Sequence, residues 1–350
     1  METIYRKINP QEIDMSVIEE ASKILKRGDM VAFPTETVYG LGADALNEDA
    51  SRKIYAAKGR PSDNPLIVHV SNTEQVKRVV KEIPEAAKKL MDAFWPGPLT
   101  IIFNKADVVP NGTTGGLNTV AVRMPSHEVA RTLIEYSDVL IAAPSANTSG
   151  RPSPTTAKHV MDDLNGKISM VIDGGEVGIG IESTIVDVTS DIPTILRPGF
   201  INKRMLEEVI GHVEVDKAII GRPDPALKPK APGMKYKHYA PKADFTIYEG
   251  DKDSVAEKIN EIAREYINKG YKVGIIASDE SVDKYHYGEV VSIGSRADEL
   301  SISKSLYKVL RSFDDMKVDY ILGESFESDE LGPAIMNRML KAAGYQVIHT

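Results

Sequence analysis

Short apolar runs alternate with stretches of helical spacing along the first two hundred residues. MVAF (30–33), LIVHV (66–70), LTIIF (99–103), TVAVRM (119–124), VLIAA (139–143), SMVID (169–173), STIVDV (183–188) and TILR (194–197) read as strands. Helical patterns lie among them at about 48–57, 73–81, 84–94, 126–135, 155–164 and 202–210. A further helix is expected to open at NPQE. Asn9 can cap it, Pro10 suits its first position and Glu12 completes a capping box, with Gly28 closing it after about Arg27. Strands interleaved with helices predict an α/β layered domain on a parallel or mixed sheet.

The periodicity stops at 222–241, which holds Pro223, Pro225, Pro229, Pro232 and Pro241. This composition predicts an extended linker stiffer than a Gly/Ser tether. The pattern then restarts as DFTIYEG, a helix at 253–269, KVGIIAS, VVSIG, a helix at 298–316, DYILG and a helix at 330–343. Val255, Ile259, Ile262, Tyr266 and Ile267 mark one face of the first of these helices. The expected organisation is a domain over 1–220, a basic linker over 221–242 and a smaller Rossmann-like α/β domain over 243–350.

Composition narrows the function classes. The chain has 350 residues, no cysteine and a net charge of −8. Disulfides, thiolate metal sites and cysteine nucleophiles are therefore excluded. No apolar run approaches membrane-spanning length and the first residues lack an apolar core, so a cytoplasmic protein is expected, without membrane partners. An acidic balance argues against general nucleic-acid binding. Only the linker is net basic, with six Lys/Arg against one Asp/Glu.

Several familiar phosphate devices are missing. No stretch matches a P-loop, and GGEVGIGIEST (174–184) leads into an alternating strand rather than a helix, so it is not a dinucleotide loop. No G-x-S-x-G, H-E-x-x-H or EF-hand pattern occurs. Chemistry concentrates elsewhere. PTETVYGLGADA (34–45) puts three hydroxyl residues and two glycines after a strand, as a polar turn or a ligand loop. In KGRPSDNPLIVHV (58–70), Lys58 and Arg60 flank a glycine and can converge on one anion, while Asn64 offers an amide. Alternation places Ile67 and His69 on one strand face, opposite Leu66, Val68 and Val70. A strand histidine is either a satisfied core residue or, if that face meets a crevice, a ligand residue. Arg123 sits in an apolar strand and needs an anionic partner, from the protein or from a ligand. IAAPSANTSGRPSPT (141–155) offers hydroxyls and backbone N–H groups at a strand end.

Together, PTETVYGLGADA, KGRPSDNPLIVHV, WPGPLT, VAVRMPSH, APSANTSGRPSPT, IESTIVDV and LRPG resemble the YrdC-type threonylcarbamoyl-AMP synthases, in the family's order. PGMKYKHYAP and the second α/β block resemble the long, two-domain branch. The resemblance implies a YrdC-like twisted open α/β sheet domain followed by the Rossmann-like one. It also implies a reaction in which L-threonine, bicarbonate and ATP give threonylcarbamoyl-AMP and pyrophosphate, with Mg2+ accompanying ATP. A partner transferase would pass the group to adenosine in tRNA; no stable tRNA binding by this chain is expected. Carried over by position, threonine would meet Thr35, His69, Arg123, Ala143 and Ser183, with Arg123 on its carboxylate. The nucleotide would meet Lys58, Arg60, Asn64, Thr119, Ser145, Asn147, Ser153 and Arg197. Lys58 and Arg60 would carry catalysis, joining Arg197 in neutralising phosphates. His238 and Tyr239 would close over the nucleotide.

Two other classes compete. An RNA-binding module is disfavoured because residues 1–220 hold 24 Lys/Arg against 30 Asp/Glu. A carbamoyl-transfer domain of the hydrogenase-maturation type resembles this fold but carries cysteine-bearing zinc segments. The linker, with Lys235, Lys237, His238 and Tyr239, reads as a tether that doubles as a lid. Ending the chain before Pro223 should therefore impair pyrophosphate release while the first domain stays folded by circular dichroism. Full activity from residues 1–222 would make the segment a spacer.

Overall fold

The fold is described from a computed structural model covering residues 2–219, 229–232, 234, 238–326, 328 and 330–350. Pro223, Pro225, Lys235 and Lys237 lie outside the described residues. Contacts divide the chain into two units. The first comprises Met1–Ser149, Ser153–Gly178 and Glu182–Tyr236; the second comprises Gly150–Pro152, Ile179–Ile181 and Lys237–Thr350.

The first unit is built on a mixed sheet. From edge to edge its described strands are Ile4–Lys7, Met170–Asp173, Val31–Phe33, Gly40–Asp44, Ile141–Ala142, Ile67–His69, Thr119–Arg123, Leu99–Asn104, Thr184–Asp187, Thr194–Arg197 and Glu214–Val215. One face packs a large core that includes Leu41, Val68, Val70, Ile101, Val122 and Val186. The opposite face is covered in two parts. Val31, Phe33, Ile141 and Ile172 pack against helices Met15–Lys26 and Glu128–Ser137. Farther along, Ile67, Ile102, Ala121, Ile185 and Leu196 pack against Ala231, with Met234 beside them. A piece of the expected linker is thus core material of the first unit. Burying such apolar area removes it from water at about 25 cal/mol per Å2, which favours a seated segment.

Three expectations about elements change. The first helix spans Met15–Lys26 and is capped by Asp14, whose carboxylate accepts from Ser16 N–H. Asn9 and Glu12 instead close a turn, with Glu12 N–H donating to Asn9 O at 3.1 Å. Ile8 is buried there, so the chain must turn before the helix can begin. Second, half of PTETVYGLGADA is strand: Gly40–Asp44 pairs antiparallel with Val31–Phe33. Its alternation is hidden by small residues, and those residues have a reason. A Cβ on Gly42 would lie 2.6 Å from both the Phe33 ring and Ile141 Cγ2. Third, residues 73–81 hold only a short helix, Thr73–Val76, capped by Asn72.

The second unit carries a wholly parallel sheet in the order Glu289–Ser292, Val273–Ala277, Tyr320–Glu324, Asp244–Glu249, Val347–His349. Its long helices are Lys252–Asn268, Glu299–Met316 and Gly332–Ala342. Val255, Ile259 and Ala263 of the first helix bury against Ile275 and Leu322. Parallel strands buried by helices are the Rossmann-like arrangement the sequence pattern predicts. Among the described residues, no helix is long and apolar enough to cross a membrane.

Replacing Gly42 with valine should destabilise the first unit by about 1–3 kcal/mol through overpacking at Phe33 and Ile141. Denaturant unfolding followed by circular dichroism measures the loss; an unchanged midpoint would show that the hairpin can shift apart.

Candidate active site

Strand register assembles a polar row across one sheet face. His69 pairs with Arg123 and with Ile141, Arg123 with Thr100, Thr100 with Ile185, and Ile185 with Arg197. The neighbouring row is Ile67, Ala121 and Ile102. The polar row therefore lies where the helix-covered and linker-covered parts of the face meet. His69 shares this face with Ile67, opposite Leu66, Val68 and Val70, as alternation predicts.

Arg123 is 4% exposed, and its three nitrogens meet three neighbours. Nη1 donates to Thr37 Oγ1 at 2.9 Å and Nε to Gly97 O at 3.4 Å. Nη2 lies 2.7 Å from Glu36 Oε1, forming an ion pair. The pair is close but poorly aligned: neither Glu36 oxygen nor Arg123 Nη2 makes a well-aligned hydrogen bond. Burial alone would raise the Glu36 pKa; the Arg123 charge, with the backbone N–H groups of Glu36 and Ser126, brings it below the usual carboxylate value. The loop before it is locked by Thr35, whose Oγ1 donates to Val38 O at 2.6 Å and accepts from Thr37 and Val38 N–H.

His69 is held neutral. Burial, and then the Arg123 charge, push its pKa down to about 3. Its Nδ1 lies 3.1 Å from Ile67 O, and its ring meets Phe33 edge-on. Ala143, also buried, closes the adjoining strand end by donating its N–H to Ile67 O at 2.8 Å.

At the far end of the row, Ser183 Oγ lies 2.7 Å from Thr100 Oγ1 and accepts from Arg197 Nη2 at 3.1 Å. Arg197 Nε donates to Ser183 O at 3.0 Å, and Nη1 reaches Pro232 O at 3.5 Å. This arginine joins the polar row to the seated linker segment.

Lys58 and Arg60 donate to different carbonyls. Lys58 is buried and its Nζ donates to Ser145 O and Asn147 O, each at 2.5 Å. Arg60 is half-buried and spans Asn64 O and Pro65 O at 3.2 and 3.0 Å. Gly59 between them adopts φ 61° at the helix C-cap, which sends the two side chains to different carbonyls. Ser145 Oγ donates to Asn147 Oδ1 at 2.6 Å, so Lys58, Ser145 and Asn147 form one network. Asn64 is 1% exposed, yet both its amide atoms lack a hydrogen-bond partner. An orphaned buried amide is the kind of group a ligand satisfies. Ser153 donates to Glu182 Oε1 at 2.6 Å, and Thr119 pairs with Asn104 at the open end of its strand. His238 and Tyr239 group with the second unit. There Tyr239 adopts φ 64° and its ring stacks 5.2 Å from Tyr307, with the Arg338 guanidinium 5.9 Å from the ring.

Sequence reasoning singled out Arg123 and its need for an anion but not Glu36, Thr37 or Thr100. The signal for Glu36 was present: a carboxylate between two threonines in a ligand-loop candidate. Thr100 stands out as a lone hydroxyl in an apolar strand.

With this geometry in place, relatives give it a context. Residues 23–199 match the Sua5/YciO/YrdC family described as telomere recombination, and residues 201–344 match the threonylcarbamoyl-AMP synthase C-terminal domain. The chain belongs to the threonylcarbamoyl-AMP synthase family. The threonylcarbamoyl-AMP synthase of Pyrococcus abyssi is 50% identical over 342 residues, covering 97% of this chain and 98% of that one. The enzyme of the same name from Bacillus subtilis is 51% identical over 332 residues, covering 95% and 94%. The crystal structure of P. abyssi Sua5 complexed with L-threonine superposes with TM-score 0.94 at 48% identity, covering 99% of this chain and all of that one. A second structure of that protein, with a histidine and a tyrosine both replaced by alanine, also gives 0.94.

His69 makes the fold acid-sensitive. Its pKa is about 3 in the folded chain against 6.5 for a solvent-exposed histidine, so the unfolded chain takes up the proton first as pH falls. Stability from neutral His69 is complete above about pH 6.5 and is lost as pH falls towards 3. His69→Gln should flatten that acid limb in denaturant titrations; an unchanged slope would mean His69 is not the group responsible.

Proposed function

We propose that this chain condenses L-threonine, bicarbonate and ATP into threonylcarbamoyl-AMP and pyrophosphate, on the sheet face of residues 1–220. The observation that carries the reading is the buried polar row: a guanidinium and a neutral imidazole side by side, next to orphaned buried polar atoms. Arg123 takes the threonine carboxylate, with Thr35, His69, Ala143 and Ser183 around the rest of the amino acid. Lys58, Arg60, Asn64, Thr119, Ser145, Asn147, Ser153 and Arg197 form the nucleotide side. Lys58 acts chiefly by fixing the Ser145–Asn147 loop, and Arg60 and Arg197 supply positive charge. The part taken by His238 and Tyr239 rests on family resemblance alone.

The chemistry needs alignment more than a protein nucleophile. Threonine's amine and bicarbonate give a carbamate with loss of water. A carbamate oxygen attacks the α-phosphorus and pyrophosphate leaves. Positioning and charge neutralisation dominate such transfers. Mg2+ enters with ATP on phosphate oxygens and water. The mixed anhydride product is short of stability in water, so a transferase that carries the group to adenosine in tRNA is the expected consumer.

Pyrophosphate release from ATP should require both threonine and bicarbonate; release without threonine, or none with all three, would overturn the reading. Arg123→Ala should raise the threonine KM roughly 10- to 100-fold, the scale of one charged hydrogen-bonded contact, and change the ATP KM far less. Equal losses for both substrates would make Arg123 a structural residue.

A further inference from the structure

We propose that Glu36 is an exchangeable counter-ion that makes the amino-acid pocket select a zwitterion. The Glu36 carboxylate holds Arg123. When the amino acid binds, Arg123 passes to the incoming carboxylate and Glu36 takes the incoming ammonium. This rests on the threonine reading above and deepens it.

Two features of the contact point this way. Arg123 is anchored through its other nitrogens, by Thr37 Oγ1 at 2.9 Å and Gly97 O at 3.4 Å. Its Nη2 contact with Glu36 is different: 2.7 Å long, nearly dry, and without a well-aligned hydrogen bond on either carboxylate oxygen. A buried ion pair so poorly aligned is held by charge more than by geometry. Its partners can be exchanged while the backbone N–H groups of Glu36 and Ser126 continue to favour the charged carboxylate. The backbone at Glu36 need not move, because the Thr35 hydroxyl locks the turn through Val38 O and the N–H groups of Thr37 and Val38.

Charge balance supplies the second argument. Arg123 and Glu36 face each other as one buried cation and one buried anion, while the Arg197 guanidinium farther along the row is committed to Ser183 and Pro232 O. A ligand with only a carboxylate would leave Glu36 uncompensated in a low-dielectric site, which is strongly unfavourable. The neighbouring histidines do not compensate: burial holds both His69 and His127 below their ordinary pKa values. A ligand carrying both charges turns one ion pair into two and leaves Arg123 and Glu36 both paired. The pocket thereby discriminates against amino acids blocked on nitrogen and against hydroxy acids of the same size.

Calorimetry on the full-length protein tests this with L-threonine and with (R)-3-hydroxybutyrate, which keeps the carboxylate and hydroxyl but lacks the amine. Glu36→Gln should weaken threonine by about tenfold or more and tighten 3-hydroxybutyrate by a similar factor, reversing the preference. Glu36→Asp, which keeps the charge, should retain the wild-type order and guards against a Gln variant that misfolds. Parallel losses for both ligands in Glu36→Gln, or affinities unchanged for both, overturn the proposal while leaving the threonine site intact. Wild-type protein that fails to bind threonine overturns the threonine reading itself, and this inference with it.

Discussion

Arg123 places a permanent positive charge inside a β-sheet, and the arrangement of the first unit follows from accommodating it. Leaving such a charge without its buried partner costs about 3–5 kcal/mol, a large share of a domain's net stability. The Thr35–Val38 turn therefore has to deliver Glu36 and Thr37 to the guanidinium, and the segment after Trp95 has to deliver Gly97 O. Burial keeps His69 neutral on the next strand, and the same positive charge adds to that effect. One charge thus fixes a loop conformation and the point of greatest polarity on the face, and reinforces a protonation state.

Mixed strand directions make this compact. Arg123 lies parallel to His69 on one side and antiparallel to Thr100 on the other. Residues from distant parts of the sequence fall into one row without any loop having to reach across. Ser183 and Arg197 extend it through the next strands, and Lys58 stiffens the 145–149 loop from beneath by taking two of its carbonyls. Side chains seated on strands hold position better than side chains on free loops, which suits a reaction driven by alignment.

Much of this was legible in the sequence, and the limits have physical causes. Buried strands announced themselves as apolar runs, and alternation put His69 on the Ile67 face, away from Val68 and Val70. The Gly40–Asp44 strand was hidden because Phe33 and Ile141 leave no room for a side chain at Gly42, and side-chain pattern is what strand reading depends on. The NPQE cap chemistry was real but served a turn, since a buried Ile8 outranks local propensity. The spacing of Lys58 and Arg60 does not reveal the left-handed glycine between them, which takes their side chains to different carbonyls. Arg123 advertised its need for an anion, but the identity of that anion depended on a loop whose path the sequence pattern left open.

The seating of Ala231 and Met234 on Ile67, Ile102, Ala121, Ile185 and Leu196 has a thermodynamic consequence. Any state in which this segment leaves the face exposes apolar surface on both partners. Such an opening carries a positive heat capacity, so its enthalpy and entropy both grow with temperature. Cooling weakens this apolar hold. The segment is thus bound to the sheet by apolar burial beside the Arg197 contact to Pro232 O, and the apolar share of that hold changes with temperature.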